Sequence, residues 1–424
     1  MLNPSRRHVV AGLCAAVFVL PRPSPAHTAD ATATLRAKSG SAALRGPDRP
    51  PTPILGFDGA TPGPVLRVKR GQELRATLVN ELAEPTSVHW HGVRLPNAMD
   101  GLPHLTQAPV MPGASFDYRF APPDAGTFWY HAHATGQLAR GLCGALIVDE
   151  PEPVDVDRDV VLVLGDWRVD ADGGIDASGA RNLTTNGAPV ADVTVKGNER
   201  LRLRFINAAA SHIMVIRLDR HRAFVVAIDG QPAEIFPARD GRVLLAPGNR
   251  IDLMVDATLE PGSVAPIVVE TENAPITIAR LVYDKAPGPR TAPRPDPKPL
   301  PANPLPARMD FSGALKQELS VDGQAADTDL GARLFSVKRG RVVMLALNNR
   351  TRLPYAAHLH GHHCRLLDRL DDGWKPFWLD TVLVPPSQTV RIAFVADNPG
   401  KWLIRCRVLE QPVTSGTTAW FEVT

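Results

Sequence analysis

Cysteine is scarce in these 424 residues: four occur, at positions 14, 143, 364 and 406. Cys14 falls in an N-terminal targeting segment, which leaves an odd three, so at most one disulfide can form and at least one thiol stays free or serves another role. An excess of charge of one sign is also lacking. The 47 Lys and Arg against 44 Asp and Glu give a formal net charge of +3, and the basic residues are scattered, which excludes a nucleic-acid surface. Long apolar runs are missing except near the start, so no segment reads as membrane-spanning. Long helical periodicity is missing too. What is present is 44% apolar residue against 21% charged, enough for a packed core, with 41 Pro and 33 Gly to turn the chain between short strands.

Residues 1–31 read as an export signal. Arg6 and Arg7 precede a short apolar run that ends near Leu20, and Pro and Ala residues follow. That run is too short to cross a bilayer as a helix, so a cleaved twin-arginine signal and a periplasmic address are expected.

The rest of the chain repeats itself. Val68-Lys69 is followed by Asn80, Val195-Lys196 by Asn207 and Val337-Lys338 by Asn349, each time with the same spacing. Between them apolar and polar residues alternate, as in Leu201, Leu203 and Phe205 against Arg202 and Arg204, the period of a half-buried strand. A Pro-containing turn and a second alternating strand follow in each unit. These repeats predict an all-β chain of three sandwich domains, over 41–150, 155–285 and 307–424. Residues 286–306, with nine prolines from Pro287 to Pro306, read as an extended linker outside any core.

The histidines fall at matching places in the first and third repeats. His89-Trp90-His91-Gly92 lies as far beyond Asn80 as His358-Leu359-His360-Gly361 lies beyond Asn349. The middle repeat has Ile216 and Leu218 there, carries no metal ligands and reads as a spacer. His131 and His133 follow Gly126 at the spacing with which Arg405 and Arg407 follow Gly400. Side chains two apart on a strand share a face, so each His-x-His pair aims both rings one way. Three such pairs point to a metal site, since clustered imidazole suits copper, zinc and iron. His362 and His363 read as bland or as supporting groups behind the ligands.

These loops, with Trp129-Tyr130-His131-Ala132-His133, Trp402 to Glu410, Asp100-Gly101 and Trp378-Leu379-Asp380-Thr381, resemble the copper-binding loops of the multicopper oxidase, or laccase-like, family. The resemblance implies three consecutive cupredoxin-like Greek-key sandwiches. It also implies a reaction in which phenols or metal ions lose single electrons and dioxygen becomes water. It gives His89 and His358 to a type 2 copper, His91 and His131 to one type 3 copper, and His133 and His360 to the other. Asp100 and Glu410 match acids linked to proton delivery in the family, here expected to pair with the arginines. Ligands from the first and third domains must meet in one cavity, within a monomer.

Against that pattern the chain is incomplete. Arg405 and Arg407 stand where the family's His-Cys-His loop gives each type 3 copper its third ligand. Cys406 survives as the type 1 thiolate, but Tyr355 and Gln411 replace its two imidazoles, and Gly416 or Thr417 the axial Met. The expectation is a periplasmic copper-binding protein with fewer than four ions and impaired oxidase activity, whose partners are copper ions, dioxygen and a small phenolic or metal-ion substrate. The alternative is a copper-poor scaffold resembling the family's cell-division protein.

Overall fold

The structure, a computed structural model, describes residues 31–134, 136–323, 325–326, 330–367, 377–409 and 415–424. The expected signal therefore lies outside the described residues, as do Glu410 and Gln411. Six sheets pair into three consecutive sandwiches. Among the described residues no helix is long and apolar enough to cross a membrane.

The first sandwich joins one sheet of Thr52–Phe57, Ala31–Ala42, Leu74–Asn80 and Ser115–Phe120 to a second of Leu66–Lys69, Cys143–Asp149, Gly126–Ala132 and Val88–His91. The third repeats this plan. Leu315–Val321 lies parallel to Val342–Asn349, as Ala31–Ala42 lies parallel to Leu74–Asn80. The strand Ala31–Ala42 starts the first sandwich before the boundary expected at residue 41. Its small residues hide a strand whose Leu35 and Ala37 are fully buried.

The repeated asparagine has a structural cause. Asn80, Asn207 and Asn349 are all buried at strand ends. Asn80 Nδ2 donates to the Glu84 and Val110 carbonyls at 2.9 and 2.8 Å, while its Oδ1 accepts from the Leu82 amide at 3.0 Å. Asn207 and Asn349 close their loops in the same way. A side chain with both donors and an acceptor satisfies backbone groups that the sheet leaves unpaired at that corner.

The expected half-burial of Arg200–Asn207 does not hold, because all eight residues are buried. Its arginine face packs toward the first sandwich. Arg202 donates to Asp252 at 2.7 Å and to Glu150 at 2.7 Å, and Arg204 donates to Asp159 at 2.6 Å and to Thr127 Oγ1 at 2.8 Å. Buried guanidinium needs such partners; Asp252 and Asp159 lie within the middle sandwich, whereas Glu150 and Thr127 reach across from the first. The proline-rich stretch is likewise no free linker. Leu300 joins an apolar cluster with Phe224, Val226 and Met254, and Asn303 bonds Ala125 and Gln231. The first and third sandwiches share one continuous core that runs from Leu35 to Val423.

Candidate metal centre

Four strands aim side chains into one cavity. Val88–His91 pairs with Gly126–Ala132, which sets His89 opposite His131. Tyr355–Leu359 pairs with Gly400–Val408, which sets His358 opposite Arg405. The cavity is lined by His89, His91, His131, His133, His358, His360, Arg405 and Arg407, with Trp129 and Thr381 beside them. The six imidazoles thus converge, as the spacing predicts. A cavity of about 40 Å³ remains between them, enough to admit water.

The imidazoles are oriented from behind. His89 Nδ1 meets the Asp100 carbonyl at 3.0 Å, and His358 Nδ1 meets the Asp380 carbonyl at 3.0 Å. A carbonyl only accepts, so these partners assign the proton to Nδ1 and leave a lone pair on each Nε2. The two Nε2 atoms face each other at 3.2 Å. Two lone pairs so close repel unless a cation lies between them. At that separation one ion could accept both lone pairs. His360 Nδ1 donates to Asp100 Oδ2 at 2.9 Å, so its Nε2 is also available. Ligand atoms of His89, His358 and His360 lie within 4.8 Å of one another, as do those of His89, His91 and His131. The residues present therefore fit one ion at His89, His358 and His360.

They fit the remaining pattern poorly. Arg405 Nη1 donates to His133 Nε2 at 3.1 Å, taking the lone pair that a metal would need. Burial, then the Arg405 charge, holds His133 well below the usual imidazole value. Burial, then His89 and Arg407, does the same to His131. Among the described groups that could hold an ion, none includes Cys406. Its thiol lies in the shared core with Tyr355, Ala357 and Val408, and burial pushes it up to about 12. All three cysteines are free and buried, so the one disulfide that the count allows does not form. Asp100 faces His360 and His89 instead of meeting the expected arginine partner, and those imidazoles hold its carboxyl far below the usual range against the opposing effect of burial.

The middle sandwich is more than a spacer. Arg250, fully buried, donates to both Asp380 oxygens at 2.9 and 2.5 Å, to the Gly248 carbonyl at 2.9 Å and to the Thr127 carbonyl at 3.1 Å. One side chain thus ties all three sandwiches behind the imidazoles. Asp380 Oδ1 in turn lies 3.2 Å from His91 Nε2, and Thr381 Oγ1 lies 2.9 Å from it. The glycine that ends the first His-x-His loop follows from this clamp. At Gly92, with φ of +83°, a Cβ would sit 2.2 Å from Arg250 Nη2. His363 Nε2 reaches Gln231 at 3.3 Å and the Asp229 carbonyl at 3.4 Å, so it stands behind the clamp, whereas His362 packs among Phe394, Trp402 and Phe421. Arg250 and Asp229 carry no sequence signal, since neither lies in a ligand loop.

Sequence models of the multicopper oxidase family match residues 41–153, 128–286 and 300–424. The multicopper oxidase MmcO of Mycobacterium tuberculosis is 31% identical over 461 residues, covering 93% of this chain and 88% of that protein. The chain belongs to the multicopper oxidase family. A multi-copper oxidase from Pseudomonas thermotolerans superposes with a TM-score of 0.82 at 34% identity, over 93% of this chain and 100% of that one. Lac15 from a marine microbial metagenome gives 0.80 at 35% identity, over 92% of this chain and 100% of that one. Family membership accounts for the cupredoxin sandwiches and the convergent imidazoles, and implies copper as the metal.

Proposed function

We propose that this multicopper oxidase family member binds copper with fewer than four ions and with impaired oxidase turnover. The observation that carries the reading is the His89 and His358 pair, two Nε2 lone pairs 3.2 Å apart with both rings fixed by carbonyls. His360 is the third donor. Copper held there by His89, His358 and His360 would supply one-electron chemistry. The chain's own groups orient that site: Asp100 holds His360 and His89, and Asp380 with Thr381 holds His358 and His91. Asp100 stays ionised beside the cavity and accepts the Nδ1 proton of His360. Electron entry through a type 1 copper is not supported, because among the described residues Cys406 lies in the shared core and joins no group of potential metal ligands.

The proposed setting is the periplasm, reached through the twin-arginine segment at Arg6-Arg7, and the proposed substrate is a small phenol or metal ion oxidised at the expense of dioxygen. A monomer is proposed because one chain supplies all six imidazoles. The scaffold reading keeps one specific support, the Arg405 guanidinium bonded to His133. Copper loading, dialysis, metal analysis and electron paramagnetic resonance separate the two. The copper-binding reading expects about one retained ion per chain, a resonance without intense blue colour, and loss of both in His89→Ala. A folded wild type that retains no copper would leave only the scaffold.

A further inference from the structure

The middle sandwich places a second charged group behind the imidazoles. Ala223–Ile228 and Gln231–Pro237 form a hairpin whose two turn residues, Asp229 and Gly230, have φ of +48° and +75°. Two residues at positive φ suit a type I′ turn, for which Asp-Gly is an ordinary sequence. That accounts for the backbone and not for the side chain. The Asp229 carboxylate is fully buried, and both its oxygens accept. Oδ1 accepts from the Arg250 amide at 3.0 Å, and Oδ2 from the Asp380 and Thr381 amides at 3.2 and 3.3 Å. Asn249 Nδ2 donates to both oxygens at 3.0 Å and to the Thr381 carbonyl at 2.9 Å. Asp380 and Thr381 belong to the third sandwich, where the Asp380 carbonyl and the Thr381 hydroxyl meet His358 Nδ1 at 3.0 and 3.1 Å.

We infer that Asp229 is a positioning residue for His358, acting through the peptide unit between Asp380 and Thr381. The Asp380 carbonyl and the Thr381 amide lie in one planar trans unit and point in opposite directions. Holding that amide on Asp229 therefore aims the carbonyl at His358, which fixes the ring's Nδ1–H tautomer and leaves its Nε2 lone pair in the cavity. Among the described residues the groups bonded to the Asp229 oxygens are all donors, which suits the ionised form, although burial, then the Asp380 charge, pushes its carboxyl up to about 7. His360 offers an internal comparison, because Asp100 of the first sandwich holds it instead. The inference rests on the proposed role of His358 as a ligand and adds a residue from the sandwich that carries none.

The test follows the imidazole nitrogens of the metal-free full chain by nuclear magnetic resonance at pH 8, where Asp229 is ionised. Asp229→Gly keeps the positive φ and removes both acceptors, whereas Asp229→Asn keeps the turn and removes one. In Asp229→Gly the His358 ring is expected to become a mixture of tautomers while His360 stays Nδ1-protonated, and Asp229→Asn should shift His358 less in the same direction. After Cu(II) loading, the dissociation constant should rise about tenfold in Asp229→Gly, the low end of what loss of an outer partner costs. A folded Asp229→Gly protein with His358 still wholly Nδ1-protonated, or with both rings mixed alike, would overturn the inference. Where neither variant folds, amide hydrogen exchange of the wild type decides. The Asp380 and Thr381 amides should exchange as slowly as those of the core strands, and fast exchange at both would overturn the inference. A wild type that retains no copper would sink the copper reading alone, because the tautomers are read without metal.

Discussion

Replacing both guanidinium groups by imidazole should convert a one-ion cavity into one that holds more. The structural basis is the 3.1 Å hydrogen bond from Arg405 to His133 Nε2. A divalent ion on that nitrogen would lie about 4 Å from the guanidinium, and at an effective dielectric near 20 the repulsion is about 8 kcal/mol before screening. Halving it still leaves about three decades in dissociation constant. The same substitution also returns a lone pair to His133, so two obstacles fall together. Wild type, Arg405→His and the Arg405→His, Arg407→His double variant should be loaded with Cu(II), dialysed and analysed for metal. The count should rise by about one ion per chain in the double variant, with a smaller gain in the single one. A folded double variant with the wild-type count would refute the reasoning, since charge and lone-pair competition would then not limit the site.

Three other outcomes are expected. His358→Ala should lose the retained copper, whereas His131→Ala should keep it; metal analysis of both decides whether His89, His358 and His360 form the site. Arg250→Leu leaves Asp380 buried and unpaired and should destabilise the chain by about 3–5 kcal/mol, read from the urea midpoint; a shift near zero would remove the clamp from the account. Burial pushes Cys143 and Cys406 up to about 12, so both should resist thiol reagents until the protein unfolds. The sign for pH follows. The native state holds those protons when the unfolded chain has released them, so stability should fall as pH rises from about 9 towards 12. Alkaline melts of Cys143→Ala should show a shallower decline.

Much of the site was legible because its signals are local. His89, His91, His358 and His360 sit at fixed distances from Asn80 and Asn349, and those asparagines recur because the sandwich corner needs a side chain that both donates and accepts. Period-two alternation likewise put Arg405 and Arg407 on the face opposite Cys406. Long-range charge was not legible. Arg202 and Arg204 alternate with Leu201 and Leu203 as on any half-exposed strand, and nothing nearby in sequence marks Asp252, Asp159 or Glu150 as their partners. Arg250 belongs to a repeat without ligands, so no motif pointed to it. The strand Ala31–Ala42 was missed because its small residues give a weak alternation, and Leu300 because a run of prolines resembles free linker.

The imidazole cavity also has a reason to persist without metal. In a site held together by its ion, removal of the ion frees the ligands to rotate or collapse. Here each of the best-placed donors is fixed from the outer side, His89 and His360 by Asp100, and His358 by the Asp380 carbonyl and Thr381. Asp380 is itself fixed by Arg250, which reaches it from the middle sandwich. Such outer partners set ring orientation and tautomer before a metal arrives. Metal-free protein should therefore show nitrogen resonances of neutral, Nδ1-protonated rings for His358 and His360 at pH 7, since burial lowers both. Fast-exchanging or mixed tautomers in the stripped protein would mean that the ion, and not the hydrogen-bonded frame, organises the site.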